Sequence, residues 1–566
     1  MRTTKHIRRA GMALMAVAAL ALSGCSNSGD SNSDGGSSSS TSQELPGSDY
    51  TKAERDSVQD GGTLRLAITA LPTSWNGDSA LGNNYDLNSL MAPYIRPLNW
   101  IYGEDASFEP NPAYVTDYTM SDDGLDLTIN LNEKAVWNDG TPITVDDYIA
   151  TWKASSGTQE GYEAASTDGW TQISKIEKGD SEFQVKVTFS EAYPDWSANF
   201  STVSPAAGLA DAKTFNEGWG DGMEVVKWFT GPFKVTDIDK SAKLITMEKN
   251  PNWWGEEPKL DKVTFKALEA AAMAQAFANN ELDVVDMIID ADTYQLVQKR
   301  TDAKLYMSTS VQWRHFTFNS RAGALEDKAL RQAIQKGINT ADITASDLAG
   351  LPTAEMDMHL GNHFFMPNQE GYVDNALDFD PEGAKKDIEG LGYELNETSG
   401  YYEKDGKELA FKFLRLPDTP TSANEGAMLQ NQMKDIGVKI TFDDTTSEDF
   451  FTRITAGEFE IVAFSWQGTA YPMANVGQIY GAPGSNSNFS GLSDPKIDEY
   501  VKKIATETDR EERVKLTNEV DKVIWDNVMT LPLYYRANIT SVPANLVNYG
   551  ATAFESFPAE NIGFAK

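Results

Sequence analysis

The chain has 566 residues, of which 40% are hydrophobic and 23% charged, a globular composition on a length that exceeds what one hydrophobic core supports. Its 84 acidic side chains outnumber the 48 basic ones, giving a formal net charge of −36. Such a surface repels the polyanionic backbone of nucleic acid and an anionic lipid face, so neither is expected as a partner.

The first segment reads as an export signal. Arg2, Lys5, Arg8 and Arg9 form a basic head, and the apolar run from Ala10 to Leu22 is too short to span a bilayer as a helix. The stretch Leu22-Ser23-Gly24-Cys25 resembles the lipobox of bacterial lipoproteins, and Cys25 is the one cysteine in the sequence. Residues 1–24 are therefore expected to be a cleaved signal peptide. Cys25 is expected to carry the lipid that holds the chain to the outer face of the cytoplasmic membrane. From Ser26 to Ser42 every residue is Ser, Asn, Gly, Asp or Thr. That composition cannot bury apolar area, and residues 25–55 are read as a flexible polar tether. No later segment is apolar enough to cross a membrane, so the remainder is expected to be extracytoplasmic, with the lipid as its sole membrane attachment.

Beyond the tether, strand and helix patterns alternate. Leu64, Leu66 and Ile68 place a period-two strand at Thr63–Thr69, and the pattern recurs at Leu125–Leu131 and Phe183–Phe189. Thr144 followed by Asp147 predicts a capping box, with Tyr148 and Trp152 on one helix face. Asp380-Pro381 opens a helix that turns Ala384, Ile388 and Leu391 inward and ends at Gly392. Asp494-Pro495 opens another, striped by Ile497, Tyr500, Val501 and Ile504. Asp509 with Glu512 caps a third, carrying Leu516, Val520 and Val523. The class is mixed α/β in more than one lobe.

Several punctuated motifs occur in a fixed order: Gly61-Gly62-Thr63-Leu64-Arg65, Trp137-Asn138-Asp139-Gly140-Thr141-Pro142, Thr230-Gly231-Pro232-Phe233, Lys249-Asn250-Pro251-Asn252-Trp253-Trp254-Gly255, Leu330-Arg331-Gln332-Ala333-Ile334, Phe379-Asp380-Pro381-Glu382, Asp494-Pro495-Lys496-Ile497-Asp498 and Leu531-Pro532-Leu533-Tyr534. Together they resemble the extracellular solute-binding proteins of family 5, which serve ABC importers of peptides and, in some branches, of nickel or other solutes. The resemblance implies a two-lobed type II periplasmic-binding-protein fold with an extra subdomain in the first lobe. It implies a first lobe at 56–310, a second lobe at 311–535 and a return to the first at 536–566, with two crossing segments as a hinge. A monomer that hands a peptide-like solute to ABC permease subunits is the implied working unit. Asp139-Gly140 and Gly231-Pro232 read as turns that serve the fold.

In peptide-binding members the ligand's backbone pairs with both lobes, and an acidic residue just after a tryptophan holds its amino group. Here Trp466 is present, but Ala470 stands where the acid is expected. A buried ammonium without a counter-charge is costly, so the amino-group anchor lies elsewhere or is absent. Resemblance and residue type nominate Trp75 and Asn76 after the first strand, Trp313 and His315 near the crossing, and Trp466, Tyr471 and Asn488 as ligand-binding residues. For each, ordinary core or surface is the competing reading.

Other chemistry finds little support. His359 and His363 are four apart, but Gly361 and Pro367 argue for a loop, and no metal or cofactor is expected. No Gly-x-Ser-x-Gly elbow, Walker loop or dinucleotide fingerprint is present, so the chain is not expected to be an enzyme. A receptor for peptides, in all expectation oligopeptides, leads. The alternatives are an envelope scaffold or regulator reusing the fold, and a receptor for an oligosaccharide, glycolipid or metal complex.

Overall fold

The computed structural model describes residues 45–474, 476–482 and 487–566. The leader, Cys25 and residues 26–44 lie outside the described residues. Strand β1 (Thr63–Ile68) buries Leu64, Leu66 and Ile68, as its period of two requires. Strands β2 (Val115–Met120) and β3 (Asp126–Leu131) start a second, wholly antiparallel sheet. Helix α1 (Val145–Ser155) follows, its start fixed by the Thr144–Asp147 capping box, in which the Asp147 carboxylate accepts the Thr144 N–H at 2.9 Å. Strands β4 (Ile173–Lys178) and β5 (Gln184–Phe189) complete that sheet in the order β2-β3-β5-β4. Strands β6 (Phe233–Asp239), β7 (Leu244–Lys249) and β8 (Lys262–Ala267) then return to β1 in the order β1-β8-β7-β6, with β1 and β8 parallel. Gly231, just before β6, has φ +149°, and a Cβ there would meet the Tyr94 carbonyl oxygen at 2.4 Å, so the backbones can approach only over glycine.

Two strands are unusually long. Strand β9 (Ala303–Phe318) runs 16 residues, and near the other end of the chain β13 (Thr530–Pro543) runs 14. Between them lie helices α2 (Lys328–Lys336) and α3 (Pro381–Gly390), strand β10 (Ala410–Arg415), helix α4 (Pro420–Asp435), strands β11 (Lys439–Asp444) and β12 (Ile461–Gln467), and helices α5 (Pro495–Thr506) and α6 (Arg510–Asn527). The five strands form one sheet, β11-β10-β12-β9-β13. Asp380, Asp494 and Asp509 accept backbone N–H groups at the starts of α3, α5 and α6, as their sequence signals predict.

Three cores result. One gathers Leu64, Phe233, Phe265, Tyr306 and Val542; a second gathers Phe316, Leu330, Phe413, Leu531 and Leu533; the third, around Trp100, Ile129 and Phe189, sits under the β2–β5 sheet. Strands β9 and β13 each send side chains into the first two cores, which makes them the connection between two lobes. Among the described residues no helix is long and apolar enough to cross a membrane.

The segment read as tether overlaps this fold. Ser48–Tyr50 pairs antiparallel with Gly550–Thr552, and the Tyr50 ring meets Phe557 edge-on at 4.8 Å. Polar composition concealed the strand because its partner lies some 500 residues away along the chain.

The second lobe buries charge. Arg314 on β9 donates from Nε to Glu425 on α4 at 2.8 Å and pairs with its second oxygen through Nη2. Nearby, the Asp347 carboxylate accepts from Asn424 at 2.6 Å and from the Tyr534 hydroxyl at 3.0 Å. Burial, with the Glu425 charge added to it, pushes the Asp347 carboxyl up from 3.8 to about 7. The folded state thus binds the proton more tightly than the unfolded chain does. The stability this gives is fully present below the unfolded value and is lost as pH rises toward about 7. In urea unfolding, wild type should lose stability relative to Asp347→Asn across that window, by on the order of 1–3 kcal/mol. Parallel stability profiles for the two proteins would show that Asp347 is not the group responsible.

Candidate functional site

The long ribbon is irregular at two places, between Arg314 and His315 and, more widely, between Thr309 and Trp313. Thr309 pairs with Ala537 and Trp313 with Tyr535, so Ser310, Val311 and Gln312 of β9 stand opposite the single residue Arg536 of β13. Such a bulge twists the ribbon and re-aims its side chains. Ser310 Oγ donates to the Arg536 carbonyl at 2.9 Å, and the Val311 carbonyl accepts the Gly468 N–H at 2.8 Å.

Beside the bulge a cavity of about 380 Å³ opens between the lobes. Tyr85, Asn88 and Tyr102 line it from the first lobe, Asp286 from the segment whose Val284 packs in the first core and whose Val285 and Ile288 pack in the second, Phe554, Glu555 and Phe557 from the chain's return, and Val311, Gln467 and Asn538 from the ribbon and β12. A smaller cavity of about 30 Å³ shares Val311 and Gln467 as walls and is lined by Trp313, Trp466, Met366 and Thr469.

An aromatic stack backs the smaller cavity. Cross-strand pairing sets Trp313 opposite Trp466 and His315 opposite Phe464, so alternate residues of β9 and β12 share one face. The Trp466 ring lies parallel to Phe489 at 5.7 Å and to His315 at 6.0 Å. Its indole N–H has no acceptor among the described residues. Trp313 and Trp466, both nominated from the sequence, are thus brought together on one cavity.

The remaining nominated residues fall elsewhere. Trp75 is buried in the first core, 5.6 Å from Phe229, and Asn76 beside it donates to the Phe215 carbonyl at 2.9 Å while its Oδ1 accepts the Asp78 N–H. Neither lines the interlobe cavities, because the loop after β1 folds back under Trp219 instead of over the cleft. His315 has no exposed surface and stands behind the tryptophans; neither ring nitrogen finds a partner among the described residues, and burial, reinforced by Arg314, holds its pKa well below the usual imidazole range. Asn488 spends its side chain on its own loop, donating to the Gly481 and Leu492 carbonyls at 2.7 and 2.8 Å. Tyr471 lines neither cavity; its hydroxyl lies 3.0 Å from that of Tyr102, across the lobes.

A second bridge joins the lobes. Arg513 on α6 donates from Nη1 to Asp195 Oδ1 at 3.0 Å and from Nη2 to Oδ2, with both side chains buried. His359 and His363 turn to different partners, Asp374 at 3.1 Å and the buried Asp521 at 2.7 Å. Among the described residues no group of three or more His, Cys, Asp or Glu side chains is placed to hold a metal ion.

Sequence reasoning missed Tyr85, Tyr102, Asp286, Asn538 and Phe554. The one local signal available was Asp286-Met287, a polar interruption of the apolar run Val284–Ile289.

Comparison with known proteins agrees with this architecture. Residues 109–489 match the family described as bacterial extracellular solute-binding proteins, family 5 Middle. An oligopeptide-binding protein OppA of Mycobacterium tuberculosis is 32% identical over 558 residues, covering 97% of this chain and 93% of its own. The solved structure of a periplasmic EDTA-binding protein, EppA, superposes with a TM-score of 0.81 at 24% identity, covering 94% of this chain and all of its own. The oligopeptide-binding protein AppA of Bacillus subtilis, in complex with a nonapeptide, gives 0.75 at 17% identity, over 90% of this chain and all of its own. The fold is thus the two-lobed type II periplasmic-binding-protein fold, and the chain belongs to the bacterial extracellular solute-binding proteins of family 5.

Proposed function

We propose that this chain is an extracytoplasmic, lipid-anchored receptor that captures peptides between its lobes and delivers them to the permease of an ABC importer. The observation that carries the reading is the cavity at the ribbon bulge, walled by both lobes, in a chain 32% identical over nearly its full length to an oligopeptide-binding protein. Asn88, Gln467 and Asn538 offer amide groups suited to a peptide main chain. Tyr102, Phe554 and Phe557 offer broad apolar faces that accept varied side chains. The role is capture, not catalysis.

In this reading the first lobe spans 56–310, the second 311–535, and 536–566 returns to the first. Trp313 and Trp466 wall the smaller cavity on the solute's side. Trp75, Asn76, His315 and Asn488 support the walls from behind. Cys25 carries the lipid, and the chain works as a monomer.

Native mass spectrometry of residues 26–566, gently purified, should show adducts that resolve on denaturation into a ladder of short peptides. A single non-peptide mass would reassign the solute. A bare protein that gives no thermal shift with a peptide library would favour a scaffold role.

Closure has its own test. Arg513–Asp195 and Tyr102–Tyr471 join the lobes, so they hold the receptor in its closed form. Replacing Asp195 with Asn leaves a buried guanidinium without its counter-charge, a cost of about 3–5 kcal/mol borne by the closed form. Small-angle scattering of the empty Asp195→Asn protein should show a larger radius of gyration, with peptide affinity lowered about tenfold or more. Unchanged scattering and affinity would deny the pair this role.

A further inference from the structure

Among the described residues the interlobe cavity is lined by two carboxylates, Asp286 and Glu555, and by no lysine, arginine or histidine. The two acids differ in what surrounds them. Glu555 is already answered: Lys52 stands 3.3 Å from its Oε1, the Tyr50 hydroxyl donates to the same oxygen at 2.7 Å, and Ser48 donates to Oε2. Asp286 has no cationic partner among the described residues. Its Oδ1 accepts from Thr540 Oγ1 at 2.5 Å and from the Met287 N–H at 3.0 Å, while Oδ2 receives a single long hydrogen bond, from the Tyr85 hydroxyl at 3.4 Å. An ionised carboxylate has about four lone-pair positions, so Oδ2 retains accepting capacity at the cavity wall.

The segment that carries Asp286 is fixed rigidly. Val285 exchanges backbone hydrogen bonds with Ser541 of β13 at 3.0 and 2.9 Å, and the Ile288 N–H reaches the Ile539 carbonyl at 2.8 Å. Between these anchors Met287 adopts φ +52°, a left-handed conformation unfavourable for a side chain of its kind. The backbone is thus held so that the carboxylate meets Thr540 on the crossing strand and Tyr85 on the first lobe. A charge held with neutral donors alone is costly in a cleft that closes, and burial pushes the Asp286 carboxyl above its usual range. A cation entering the cavity removes that cost.

We propose that Asp286, with the Tyr85 hydroxyl beside it, is the anchor for an ammonium group of the captured solute. This assignment rests on the peptide-receptor reading and supplies what Ala470 lacks, from the flank of the crossing strand. The ammonium is either the peptide's amino terminus or a lysine side chain; the chemistry at Oδ2 is the same for both.

Three random pentapeptide sets separate these sources. The first has free amino termini and no Lys or Arg, the second is the same set acetylated, and the third is acetylated with one central lysine. Binding would be read by native mass spectrometry on protein unfolded and refolded to release carried-over ligand. Wild type should bind at least one ammonium-bearing set about tenfold or more tightly than the fully blocked set, as expected for a charge-assisted hydrogen bond. Asp286→Asn, which keeps the side-chain shape, should erase that preference, so that the ammonium-bearing sets bind no more tightly than the blocked set. Which set wins identifies the source. Equal binding of all three sets by wild type would overturn the anchor without any variant, as would a preference that survives in Asp286→Asn. If wild type binds none of the sets, the peptide-receptor reading itself falls and the anchor with it.

Discussion

The antiparallel pairing of β9 with β13 is the interaction on which the rest of the molecule depends. Two segments more than 200 residues apart in sequence form a ribbon long enough to enter two hydrophobic cores. Tyr306 and Val542 are buried in one core, Phe316, Leu531 and Leu533 in the other. Burying such side chains contributes on the order of 1.5–3 kcal/mol each, so both ends are firmly fixed. The stretch between is where the register slips and the cavity opens.

The site follows from the same ribbon. Strand periodicity places Trp313 opposite Trp466 on one face and makes them a wall of the smaller cavity. Pairing with the segment at 285–288 brings Asp286 onto Thr540. The bulge at Ser310–Gln312 lies between these two features and contributes to both cavities. The contrast in polarity is physical: wide aromatic faces at one end tolerate many shapes, while an uncompensated carboxylate at the other accepts one charge type. The buried pair Arg513–Asp195 adds a second contact, through α6.

Local signals were read correctly where local physics decides. The alternation in β1, the capping box at Thr144–Asp147 and the aspartate caps of α3, α5 and α6 all depend on neighbours within a few residues. The tryptophans of β9 and β12 were also recoverable, since strand residues of that size require a partner face. Trp75, Asn76, His315 and Asn488 were not separable from true cleft residues by type alone. A tryptophan in a core and one on a wall have the same composition, and what distinguishes them is the path of a loop. His315 is the sharpest case: resemblance and residue type nominated it near the crossing, and it lies fully buried against Trp313, Phe464 and Trp466.

The sequence by itself determined the class of protein, because ordered motifs, turn chemistry and hydrophobic period are short-range properties that survive without coordinates. It also determined the missing acid at Ala470. Tertiary structure alone decided what replaces it. The cavity joins segments near residues 85–102, 286–311, 467 and 538–562, and no local pattern relates one to another. Their meeting is set by long-range strand pairing and by the burial of two cores at once. For the same reason Ser48–Tyr50, polar enough to pass for tether, is a strand: the edge at Gly550–Thr552 supplies the hydrogen bonds and Phe557 the apolar contact that its own composition does not announce.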